Sequence, residues 1–224
     1  MPPLFIISLS LNLLSIVAGL LLIIFYPRLI ERFFIPPGYE RRFSIFANNP
    51  IQSTDIVFLG DSITEWFPLD EMFPGLPIKN RGISGDTTDG VLRRLYQITD
   101  GQPRQIFLKI GTNDLGFGHS QSHIIANYET ILARIKAESP QTEVFVQSIL
   151  PRHRRFAGQI RHINQEIALL AQKFGYRYLD IFPAFADTHG GIRPEFSNDD
   201  LHLLHAGYVQ WQKLLAPHIY GGGN

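Results

Sequence analysis

The stretch Asp55-Ile56-Val57-Phe58-Leu59-Gly60-Asp61-Ser62-Ile63-Thr64 decides how the chain folds. Asp55 to Leu59 is an almost unbroken apolar run of strand length, the pattern of a strand covered on both faces. Gly60-Asp61-Ser62 then turns the chain and leads into a polar segment. The same alternation repeats outward from this point. Strands are predicted at Pro77–Arg81, Gln105–Ile110, Val144–Ile149 and Arg177–Phe182. Helices are predicted at Thr88–Ile98, Gln121–Glu138, Gly158–Phe174 and Ala206–Ala216, the second stopped by Ser139-Pro140 and the third closed by Gly175. Apolar strands alternating with amphipathic helices make an α/β fold with a parallel sheet covered on both faces. Right-handed crossovers then collect ligand chemistry at the carboxyl ends of the strands.

Composition excludes several classes of function. In 224 residues, twenty Lys and Arg balance twenty Asp and Glu, so no global charge points to nucleic acid. The absence of Cys removes disulfides, thiol catalysis and zinc–thiolate sites. One domain with an appendage is the expectation at this length.

The appendage is the N-terminus. Leu4 to Phe25 carries no charge, and Tyr26, Arg28, Arg32, Phe33 and Phe34 follow as an aromatic and basic flank. A helix of about 20 apolar residues crosses a hydrocarbon layer of roughly 30 Å. A single membrane-spanning helix is therefore expected in residues 1–35. The stretch lacks the positive n-region of a cleaved signal peptide, and its small pair Ala18-Gly19 lies inside the apolar run. Arg28, Arg32, Arg41 and Arg42 all lie on the C-terminal flank, a bias towards a cytoplasmic main domain that leaves the side of the membrane open. Residues 36–54 read as a linker, broken by Pro36-Pro37-Gly38, with a short helix from Tyr39 to Ala47. Residues 55–220 read as the main folded domain.

Four polar clusters fall at the predicted sheet edge: Gly60-Asp61-Ser62-Ile63-Thr64, Gly82-Ile83-Ser84-Gly85-Asp86, Gly111-Thr112-Asn113-Asp114 and Asp199-Asp200-Leu201-His202. Acyl transfer requires an activated hydroxyl, a base, an orienting acid and donors for an oxyanion. Ser62 supplies a hydroxyl, expected to be partly exposed, and His202 supplies a base. Asp199, three residues earlier, can hold the imidazole from the same loop. The donors would be the N–H groups of Ser62 and Gly85 and the side-chain amide of Asn113.

In order and spacing these clusters resemble the sequence blocks of the SGNH, or GDSL-type, hydrolases, from about Asp55 to the C-terminus. The resemblance implies a flavodoxin-like three-layer sandwich with a five-stranded parallel sheet, a Ser62–His202–Asp199 triad, an oxyanion hole of Ser62, Gly85 and Asn113, and no cofactor. It also implies a carboxylic ester substrate, with lysophospholipids, short acyl esters, O-acetylated sugars and thioesters all within the family. Two departures stand out: Asp200 occupies a position where the family has Gly, and Leu203-Leu204 replaces the usual residues after the His. A catalytically silent binding module on the same fold is the alternative, although no triad member is missing.

Other residues have simpler readings. Asp61 braces the nucleophile turn, and Asp86 and Asp114 are structural acceptors. His205 is a reserve base without a matching carboxylate. His119 and His123 have metal-site spacing, but no third ligand is evident, and they read as solvent-exposed. Arg152, Arg154 and Arg155 follow the fourth strand, either as a solvated loop or as a site for anionic substrates or headgroups.

Overall fold

The computed structural model describes residues 3–33 and 35–221. Five parallel strands form one sheet in the order β2-β1-β3-β4-β5. They are β1 (Ile56–Gly60), β2 (Ile78–Gly82), β3 (Gln105–Lys109), β4 (Glu143–Gln147) and β5 (Arg177–Leu179). This is the flavodoxin-like order, with its switch point between β1 and β3. The described helices are α1 (Pro3–Phe33), α2 (Ile35–Ala47), α3 (Ser62–Glu65), α4 (Leu69–Met72), α5 (Thr88–Arg94), α6 (Tyr96–Thr99), α7 (Thr112–Phe117), α8 (Gln121–Glu138), α9 (Ala157–Phe174), α10 (Phe182–Phe185) and α11 (His205–Tyr220).

Strand alternation sorts the core into two layers. Val57, Leu59, Ile106, Leu108, Val144 and Val146 pack with Ile131 and Ile135 of α8 and Ile160 and Ile163 of α9. Ile56, Phe58, Phe107 and Phe145 face the other way, against Trp211 and Leu215 of α11. Phe58, Phe107 and Phe145 are register partners on adjacent strands. Their rings stack with centroids 5.0 and 4.5 Å apart, fixing the alignment of the three central strands.

Several boundaries differ from the sequence reading. The predicted helix Thr88–Ile98 divides into α5 and α6, with Leu95 between them still at helical dihedrals. The fifth strand ends at Leu179, because Pro183 in the first turn of α10 diverts the chain early. Pro36-Pro37-Gly38 is not a break: these residues lie in the first turn of α2, where proline gives up no helical hydrogen bond. Nor is α2 a linker. Tyr39 and Phe46 are buried with Ile83, the Tyr39 hydroxyl donates to Gly90 O at 3.1 Å, and Arg42 pairs with Glu65 at 3.1 Å. Arg42 is thus part of the domain's packing and not a free charge on a membrane flank.

The expected membrane span lies on α1. Among the described residues no helix is long and apolar enough to cross a membrane. The helix continues without interruption past Phe25 into Arg28, Glu31 and Arg32, so the apolar run is only part of it. The side chains of the expected flank from Tyr26 to Phe33, together with Phe34 and the Gly222-Gly223 tail, lie outside the described residues.

Candidate active site

β1 delivers Ser62 into a tight turn. Asp61 caps α3 by accepting the Ile63 N–H at 3.0 Å, and the same oxygen lies 3.2 Å from Lys109 Nζ. Both charges are buried, so each neutralises a partner that would otherwise be costly to desolvate. Gly82 lets β2 pass the turn: a Cβ there would stand 2.2 Å from the Glu65 nitrogen. Ser62 Oγ lies 3.0 Å from His202 Nε2. At 5% exposure, Ser62 is more enclosed than expected. Trp66, which caps the end of α3, stacks on the His202 ring at 4.4 Å while remaining half exposed. The sequence reading missed Trp66, although an aromatic four residues after Ser62 shares its helix face.

The loop before α11 holds the imidazole from behind. Asp199 Oδ2 lies 2.6 Å from His202 Nδ1, and Asp199 Oδ1 accepts the N–H groups of His202 at 2.7 Å and Leu201 at 3.0 Å. Ser197 Oγ adds a further donor at 3.2 Å. Burial pushes the Asp199 carboxyl up, but these bonds from His202 and Leu201 outweigh it and hold the group below its usual range. With Nδ1–H donated to Asp199, Nε2 presents its lone pair to Ser62. Asp200 adopts φ 60°, a left-handed conformation that favours Gly, and the bond to His202 Nδ1 is made by Asp199. His205 is exposed at the start of α11 and plays no part in the Ser62 contact.

The donors converge from two further loops. Gly85 has φ 77°, and among the described residues the N–H groups of Ser62 and Gly85 meet no protein acceptor. Ser84, beside Gly85, donates both its N–H and its hydroxyl to Glu65 Oε2 at 2.6 Å. Arg42–Glu65–Ser84 therefore ties this loop to α2 and α3, a network the sequence reading did not identify. Asn113 donates one amide hydrogen to Asp86 O at 2.9 Å, leaving the other for a ligand. The Asp86 carboxylate pairs with fully buried Arg94 at 2.7 Å, and burial pushes it up to about 6 against that attraction. Asp114 accepts the Thr88 hydroxyl at 2.5 Å, so Asp86 and Asp114 act as the structural acceptors expected.

The three arginines after β4 differ in burial: Arg152 is half-buried and Arg154 and Arg155 are exposed. Arg152 donates to Thr112 O at 2.8 Å and stacks on Phe156, bracing the start of α7 beside Asn113. Burial and the nearby Arg155 lower its pKa. Arg154 and Arg155 are exposed, and Arg155 also lies over Phe156.

Comparison with known proteins agrees with this architecture. Residues 58–210 match the model of the GDSL-like Lipase/Acylhydrolase family. Platelet-activating factor acetylhydrolase IB subunit alpha1 of Pongo abelii is 30% identical over 177 residues, which is 73% of this chain and 74% of that protein. A solved structure from Streptococcus pneumonia, described as a candidate platelet activating factor, is 30% identical with a TM-score of 0.77, covering 86% of this chain and 97% of that one. A GDSL-like lipase from Bacteroides thetaiotaomicron shares the fold at 21% identity and a TM-score of 0.72, covering 83% and 98% of the two chains. The match across most of the folded domain places this chain in the GDSL-like lipase/acylhydrolase family.

Proposed function

We propose that the protein hydrolyses carboxylic esters through an acyl-enzyme formed on Ser62. The continuous Ser62–His202–Asp199 contact carries this reading. Ser62 Oγ attacks the ester carbonyl while His202 Nε2 takes its proton and then gives it to the departing alcohol. Water, deprotonated by the same nitrogen, then attacks the acyl carbon and releases Ser62 and the acid. Asp199 fixes the tautomer and stabilises the imidazolium. The N–H groups of Ser62 and Gly85, with the Asn113 amide, meet the oxyanion of both tetrahedral intermediates.

Short acyl groups are the favoured substrates, because Ser62 is enclosed and the related proteins include a platelet-activating factor acetylhydrolase subunit. A panel of soluble esters differing in acyl length tests this. Acetyl esters should turn over fastest, and Ser62→Ala should reduce every rate to background. A Ser62→Ala protein with substantial turnover would remove the mechanism, and a preference for long acyl chains would remove the substrate assignment.

A membrane location belongs to the same reading. Leu11, Leu14, Ile16, Leu20, Leu22 and Ile23 on α1 are all exposed, and a helix apolar on every side is costly to leave in water.

A further inference from the structure

His119 and His123 have the spacing of metal ligands, and the fold supplies the third ligand that the sequence does not reveal. Asp89, at the start of α5, meets them across the segment joining α7 to α8. One ligand atom from each of the three side chains lies within 4.8 Å of the others. Tetrahedral coordination at Zn–N and Zn–O distances of about 2.0–2.1 Å would require these atoms to close to roughly 3.3 Å. Asp89 and His123 are exposed and His119 is half-buried, so rotamer adjustment suffices to close them.

The surroundings of these side chains suit a cation. His123 Nε2 lies 2.7 Å from Asp89 Oδ2, an acceptor, and 3.2 Å from Asn127 Nδ2, a donor. The two Asn127 amide hydrogens go to Thr88 Oγ1 and Asp89 Oδ1, each at 2.9 Å, which leaves His123 Nε2 and the Asp89 carboxylate side by side, where one ion could take both. On the other side, His119 Nδ1 faces the fully buried Asp114 carboxylate at 3.5 Å. A carboxylate close to a histidine ring is the arrangement found behind metal-bound histidines.

We propose that Asp89, His119 and His123 bind a divalent transition-metal ion of the Zn²⁺ class, clipping α5 to α8 beside the loop that carries Asn113. Nitrogen and carboxylate donors suit such an ion better than Mg²⁺ or Ca²⁺. The site would brace the loop from outside and requires no part in ester chemistry.

The test uses the full-length chain in detergent micelles, titrated calorimetrically with ZnSO₄ and separately with CoCl₂ while the visible spectrum is followed. The wild type should bind one equivalent, and Co²⁺ should give the intense visible bands of a low-coordinate site with nitrogen ligands. Asp89→Asn and His123→Gln should each weaken binding at least ten-fold and abolish those bands. Both changes are on the surface, and unchanged thermal unfolding without metal would verify their folds. His153→Gln should bind like the wild type. An absence of stoichiometric binding by the wild type would overturn the proposal. So would Asp89→Asn binding with wild-type affinity, which would indicate only casual capture by a pair of histidines.

Discussion

Asp199 and Asp200 are adjacent carboxylates with opposite fates. The three-residue interval to His202 already favoured Asp199, and the 2.6 Å contact agrees with it. The backbone supplies what spacing alone could not: Asp200 is left-handed, and Asp199 also caps the turn into His202. Asp199→Asn should lower kcat by roughly three to four orders of magnitude by favouring the wrong tautomer, whereas Asp200→Asn should retain most activity. Asp200→Gly should be neutral or stabilising, by no more than about 1 kcal/mol. Chemical denaturation and steady-state kinetics on the three variants check the ranking, and an Asp200→Asn enzyme as impaired as Asp199→Asn would reverse it. Asp86 gives a prediction in pH. Its folded pKa of about 6 lies above the ordinary 3.8, so the folded state holds this proton more tightly. The associated stability is fully present below the ordinary value and is lost as pH rises through about 6. Relative to Asp86→Asn, wild-type unfolding free energy should therefore fall between about pH 4 and about pH 7. A pH-independent difference would contradict the assignment. Ser62, Asn113 and His202 were legible because reactive residues at strand ends form short polar clusters. Trp66 and Glu65 were not, because stacking on His202 and bonding to Ser84 are relations in space that no local pattern announces.

The five strands and the long helices were readable from periodicity, and the observed ends shift by only a few residues at most boundaries. Short helices such as α3, α4, α7 and α10 went unread, since four to six residues are too few for a helical period to appear. The principal misreading concerned α2. Two prolines and a glycine looked like a break, yet they form a helix start whose far end is anchored by Phe46 beneath three guanidinium groups. Phe46→Ala should cost about 3–5 kcal/mol by emptying a buried site and losing those cation–π contacts. Because Arg42 on the same helix holds Glu65, the loss should also reach the Ser84–Gly85 loop and lower kcat. Equilibrium unfolding of Phe46→Ala, read beside its turnover of an acetyl ester, checks both. A change below 1 kcal/mol would mean that α2 is only an appendage after all.

At the scale of the whole molecule, the proposed membrane location can be tested by truncation. Removing residues 1–34 should leave a folded domain that hydrolyses a soluble ester at the wild-type rate but no longer floats with lipid vesicles. Removing residues 1–47 should also unseat the domain itself. Retention on vesicles after the shorter truncation would show that α1 is not the membrane element. The folded part converges on one edge of the sheet, where β1, the β2 loop, α7 and the loop before α11 assemble the candidate site. The central claim is that Ser62 is the nucleophile activated by His202, and intact-mass measurement after exposure to a fluorophosphonate tests it most directly. The wild type should gain a single covalent adduct mapping to Ser62, Ser62→Ala should gain none, and His202→Ala should label far more slowly. An unmodified wild type, or equal labelling of Ser62→Ala, would contradict the account.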